Sequence, residues 1–295
     1  MANTINPAPS PPATAWRLPA LEDVVLLCGF AALAIPTLFR LAKLSWSTEA
    51  GAHGPIVFAT AIWLLWRESD CLRSGARQRL WPGALLLLVA LPLYGVGRIT
   101  SILMIESLSL YLVLLTLMFL RYGGTVLKRL WFPFVYLLFL ITPPENWLFV
   151  ATRPLKMALS EISVDLLSAA GLSVGNSGSM IQVDGYQLLV ATACSGLNSL
   201  IGIGAISLFY VYLRHGSEPR YASVLTLLLL PIALLTNLFR IMGLVLATHW
   251  FGTGVVEGFV HDAAGLGTFV LALALLFGID AALFPLFRRF GWVRG

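Results

Sequence analysis

The chain reads as an all-α polytopic membrane protein, and three observations carry that reading. It is 58% hydrophobic and only 11% charged over 295 residues, against about 25% charged in a soluble domain. Its mean hydropathy is +0.86. Apolar runs long enough to cross a bilayer, about 17–25 residues with their flanks, recur along its length. These runs fall into eight groups, near 22–39, 54–66, 82–97, 100–120, 129–142, 194–213, 221–247 and 262–286.

Residues 1–20, rich in Pro, Ala and Thr, predict a disordered tail. The tail has neither the basic start nor the small-residue cleavage site of a signal peptide, so the first span is expected to be retained. The membrane domain is expected over 21–286, followed by a basic tail at 287–295. Between 143 and 172 a helical periodicity carries Arg153, Lys156, Glu161 and Asp165, which predicts an amphipathic surface helix rather than a ninth span. Asp184-Gly185 stands between two alternating apolar stretches, a two-residue hairpin signal. A small β-hairpin is therefore expected just ahead of the sixth span.

Lys and Arg set the orientation. With an inside amino terminus, thirteen fall in inside segments, five in outside segments and Arg240 within the seventh span, so both termini are expected in the cytoplasm. Arg40 and Lys43 run against this bias. No basic stripe interleaved with aromatics is present, which argues against a nucleic-acid partner. Membrane lipid is the expected surround.

The three cysteines, Cys28, Cys71 and Cys194, lack the spacing of a disulfide framework or zinc site. Cys28 reads as a lipid-facing or packing residue and Cys71 as a reduced cytoplasmic thiol. Four scattered histidines make no metal site, and no cofactor is expected. His215 and His249 have no evident partner.

Cys194, Arg240 and His261 are distant in sequence yet fall at similar depth on the outer side. Cys194 opens the sixth span, Arg240 lies in the outer half of the seventh, and His261 begins the eighth. A helix amino terminus or a nearby cation lowers a thiol's pKa, histidine can pass a proton to a leaving amine, and arginine can hold a thiolate or an oxyanion. Packing, capping and snorkelling are the ordinary roles of such residues. A mid-membrane arginine, however, costs about 2.5–3.5 kcal/mol on insertion scales and is usually paired or functional. Asn237, one turn before Arg240, could orient it. Glu106, in the outer half of the fourth span, could pair with Arg240 or shape a substrate groove, and a purely structural ion pair is an equal alternative. His53 stands outside near the second span, and Asp262 either orients His261 or caps its helix.

Ala193-Cys194-Ser195-Gly196, then Asn237-Leu238-Phe239-Arg240-Ile241, then His261-Asp262 with Gly265, resemble the Cys, Arg and His signature of the exosortase and archaeosortase family. His53-Gly54, Pro143-Pro144-Glu145 and the hairpin extend the resemblance over most of residues 45–285. Asn198 departs from it, standing where family members often carry a basic residue. The resemblance implies a cysteine peptidase or transpeptidase of a bacterial inner membrane. Its expected partners are exported proteins with a carboxy-terminal sorting signal and transmembrane tail, and proteins of an exopolysaccharide pathway. The competing readings are a transporter, with Arg240 and Glu106 lining a polar path, and a non-enzymatic component of exopolysaccharide export.

Overall fold

A computed structural model describes residues 21–48, 51–74, 80–177, 180–189, 196–252, 254 and 261–291. The amino-terminal tail, the last four residues and Cys194 lie outside them. The described helices are α1 (Leu21–Leu44), α2 (Gly54–Arg67), α3 (Leu80–Ile99), α4 (Leu103–Arg129), α5 (Trp131–Leu137), α6 (Glu145–Ala169), α7 (Gly196–His215), α8 (Pro219–Phe251) and α9 (His261–Arg289). Short 3-10 turns follow α2, at Ser69–Ser74, and α5, at Leu138–Leu140. Three strands, β1 (Val174–Ser177), β2 (Met180–Val183) and β3 (Tyr186–Leu189), stand between α6 and α7.

Each of the eight apolar runs coincides with a helix. Among the described residues, α1, α3, α4, α8 and α9 are long and apolar enough to cross a membrane, and α2, α5 with its 3-10 turn, and the stretch Ile201–His215 of α7 are shorter apolar pieces. Several membrane-crossing helices are thus present, and helix length alone does not fix the expected count of eight. Large apolar side chains point outward from these helices, among them Leu88 at 70%, Leu227 at 76% and Val270 at 58% exposure. That inside-out pattern suits a lipid surround, and the chain is a multi-pass membrane protein. Cys28 is exposed on α1, in keeping with a lipid-facing residue, while Cys71 is buried in the core beside α2.

Helices α3 and α4 form a tight hairpin. A Cβ on Gly97 would stand 2.5 Å from the backbone nitrogen of Glu106, so only glycine lets the two backbones approach there. Helix α4 runs past the predicted end at 120 to Arg129 and is interrupted at Gly123, whose φ of 84° is closed to most side chains. Helices α7 and α8, joined through residues 216–218, run antiparallel, and α9 packs on both.

The expected amphipathic helix is α6. It does not stand apart: Leu159, Val164 and Leu167 join Ile181 and Val183 of β2 and Ile241 and Val245 of α8 in one buried cluster. The expected hairpin is β2–β3, closed by Asp184 (φ 48°) and Gly185 (φ 83°). Two positive φ values make a type I′ turn, whose twist matches the strands it joins. The third strand, β1, pairs antiparallel with β2 and was not signalled by alternation.

Candidate functional site

Arg240 lies on the face of α8 between the residues packed on α6 and those packed on α7 and α9. It is only 7% exposed. Its Nη2 stands 3.8 Å from where a Cβ on Gly265 would be. Gly265 of α9 therefore faces the guanidinium at ordinary contact distance. His261 precedes Gly265 by four residues, one helical turn on the same face. The described residues include the backbone of His261 and Asp262 but not their side chains.

The antiparallel α7–α8 pair fixes the level of Arg240. The two helices meet near their joint, where His215 and Tyr221 stack edge to face at 4.8 Å. From that joint both Arg240 and Gly196 stand about 30 Å along their helices, at about 1.5 Å rise per residue. Gly196 is the first residue of α7, and Cys194 precedes it by two. Arg240, the start of α7 and the start of α9 thus come to one end of the bundle.

The sheet roofs this end. Ile181 and Val183, 0% and 1% exposed, press on Ile241 and Val245, and Leu188 of β3 packs with Leu244 of α8 and Ala264 of α9. Asp184 in the turn pairs with His249 Nδ1 near the end of α8, and the Tyr186 hydroxyl lies 3.5 Å from a Cβ built on Gly252. His249, for which the sequence offered no partner, thereby ties the hairpin to α8. Asn237 is fully buried one turn before Arg240, and its Oδ1 and Nδ2 make no hydrogen bond. Most buried side-chain polar atoms have a partner, so an amide with neither atom satisfied marks an unusual spot.

Glu106 does not serve Arg240 as an ion-pair partner in the way one sequence reading had it. It is 0% exposed and bonded to Arg40 Nη1 at 2.5 Å, Arg98 Nη1 at 2.7 Å and Thr37 Oγ1 at 2.8 Å, with Tyr94 backing Thr37 at 3.0 Å. Its partners come from α1 and α3, so it clamps the first helices together. Arg40, which ran against the expected charge bias as a loop residue, is a residue of α1 that neutralises this carboxylate.

His53 sits at the start of α2, 8% exposed, with Nε2 3.0 Å from the Phe139 carbonyl. Burial pushes its imidazole below the usual histidine range, the bond to Phe139 acting against that. Gly202 of α7 packs on it: an added Cβ would stand 3.1 Å from His53 Cβ. Gly202 is about 9 Å along the helix from Gly196, so His53 braces α2 against α7 below the site. The neighbouring Gly54 is needed for packing, since a Cβ there would fall 2.2 Å from the Trp46 ring.

At the opposite end of α7 a second polar group was missed in the sequence. Asp280 of α9, 4% exposed, accepts from Tyr210 at 2.6 Å and Tyr221 at 2.7 Å and lies 2.9 Å from His215 Nε2. His215, expected in a loop, is the 2%-exposed last residue of α7. The signal that could have found this group is an aspartate within the last apolar span, where an ionisable residue demands a partner.

Among the described residues no group of three or more His, Cys, Asp or Glu could hold a metal ion. No curated protein and no solved structure matches the chain. The family model for the transmembrane exosortases matches residues 46–278, which takes in α2 to α8, the sheet, Cys194, Arg240 and most of α9. By that match over most of its length, the chain belongs to the transmembrane exosortase family.

Proposed function

We propose that this protein is a membrane-embedded cysteine peptidase or transpeptidase that cleaves the carboxy-terminal sorting signal of exported proteins at the outer face of a bacterial inner membrane. The observation that carries the reading is the seating of Arg240 against Gly265, a turn from His261, at the level where α7 begins two residues after Cys194. In this reading all eight apolar helices cross or re-enter the membrane, both termini are cytoplasmic, and the site faces outward.

The Cys194 thiol passes its proton to His261, helped by the α7 amino terminus and the Arg240 charge that stabilise the thiolate. The thiolate attacks the scissile carbonyl carbon, and Arg240 steadies the oxyanion that forms. His261 gives a proton to the departing amine as the carbon–nitrogen bond breaks, leaving a thioester on Cys194. Water or an acceptor amine then attacks the thioester, and the thiol is restored. Asn237 and Asp262 support Arg240 and His261. The transporter reading needs Glu106 and Arg240 along one path. The saturation of Glu106 by Arg40, Arg98 and Thr37 weighs against it.

The test is mass spectrometry of carboxy-terminal peptides in membranes from cells carrying wild-type or Cys194→Ala protein. Unprocessed tails of exported proteins should accumulate only with the variant, with processing falling to background. Identical peptide sets at equal protein levels would remove the peptidase reading.

A further inference from the structure

The sheet has a free edge that leads into the site. Its order is β1-β2-β3, so among the described residues no strand pairs with β3 on its far side. In a hairpin closed by a two-residue turn, the residues flanking the turn exchange both backbone hydrogen bonds, and the pattern then alternates. Val183↔Tyr186 and Ile181↔Leu188 are therefore the bonded pairs of the register, and Gln182↔Gln187 and Met180↔Leu189 the non-bonded ones. The backbone N–H and C=O groups of Gln187 and Leu189 consequently point out from the edge. Such a row of unpaired groups is a template for another strand.

Three features distinguish this edge from an incidental one. Its underside is held to the site, with Leu188 against Leu244 and Ala264 and Asp184 tied to His249. Its upper face is open and polar, Gln182 and Gln187 standing opposite each other beside a hollow that also reaches Ser173 and Gly175. The chain from Leu189 to Cys194 is five residues long, so the edge and the thiol are at most about 17 Å apart, the length of about five extended residues. The opposite edge, β1, adjoins α6 and leads nowhere near Cys194 in the chain.

We propose that the free edge of β3 receives the substrate as an added strand: an extended peptide segment flanking the scissile bond, held by backbone hydrogen bonds to Gln187 and Leu189. The inference rests on the peptidase reading and names how that site takes its substrate. Backbone pairing supplies affinity with little sequence demand, and side chains on alternate positions meet Gln182 and Gln187.

Proline offers a clean test. At Gln187 it removes an outward N–H and no ladder bond, a placement that edge strands tolerate. In cells, Gln187→Pro should raise the share of unprocessed tails as an about tenfold loss of processing, the size of one or two hydrogen bonds, while Gln187→Ala, which keeps the outward N–H and loses only the side chain, should lose clearly less. Equal processing by the two variants overturns the inference, as does equal loss in both. If Gln187→Pro fails to accumulate in the membrane, a photo-crosslinking phenylalanine analogue at position 187 in the Cys194→Ala protein decides. Adducts carrying the tails that accumulate in that variant support the edge, and their absence overturns it. Failure of the peptidase reading is separate, since there Cys194→Ala itself leaves every tail processed.

Discussion

At the end of the bundle where α7 turns into α8, one carboxylate gathers every donor around it. Asp280 is met by Tyr210, Tyr221 and His215, with the Arg214 Nε 3.7 Å away. At the other end of the same helices, Asn237 is as deeply buried, and its amide has no hydrogen-bond partner among the described residues. The two environments differ in what they do for folding. A saturated cluster fastens three helices together, whereas an orphan amide weakens the fold it sits in, by about 1–3 kcal/mol per unsatisfied group.

The contrast can be broken by exchanging the expected consequences. Asp280→Ala should be the most damaging change to stability, about 3–5 kcal/mol, because it strands buried donors. Thermal unfolding in detergent would register this as a large fall in Tm, with little said about catalysis. Arg240→Lys should leave unfolding near wild type and cut processing about a hundredfold, since a point charge cannot reproduce the planar fork of donors. Normal processing by that variant would reduce Arg240 to bulk charge. Asn237→Leu, matched in volume, should leave Tm unchanged or slightly raised and reduce processing about tenfold. Were it to unfold the protein as Asp280→Ala does, the two ends would be alike and the contrast lost.

Local chemistry explains which parts were legible in the sequence. Asp184-Gly185 specifies its own turn, and each apolar run specifies its own helix, because the needed contacts lie within a few residues. Strand β1 escaped because VGNS lacks alternation and exists by pairing with β2. Among the site residues, Arg240 was placed by span arithmetic, whereas Gly265 entered only with the family resemblance and its place beside Arg240 comes from the structure. Of the readings for Glu106, the structural ion pair holds and the pairing with Arg240 does not. Arg98, its nearest partner in sequence, lies across the α3–α4 turn, and the close approach at Gly97 makes that proximity visible. Asp280 and His215 were separated by 65 residues, and no local pattern joins such a pair.

The Glu106 cluster also bears on how the chain enters the bilayer. Arg98 and Glu106 are eight residues apart on one helical hairpin, so α3 and α4 can partition together with the acid already matched by a base, sparing the insertion machinery an isolated anion. Arg40, made 66 residues earlier, has no such companion when α1 leaves the ribosome. The contact that ties α1 to the α3–α4 hairpin therefore forms only once all three helices have been made.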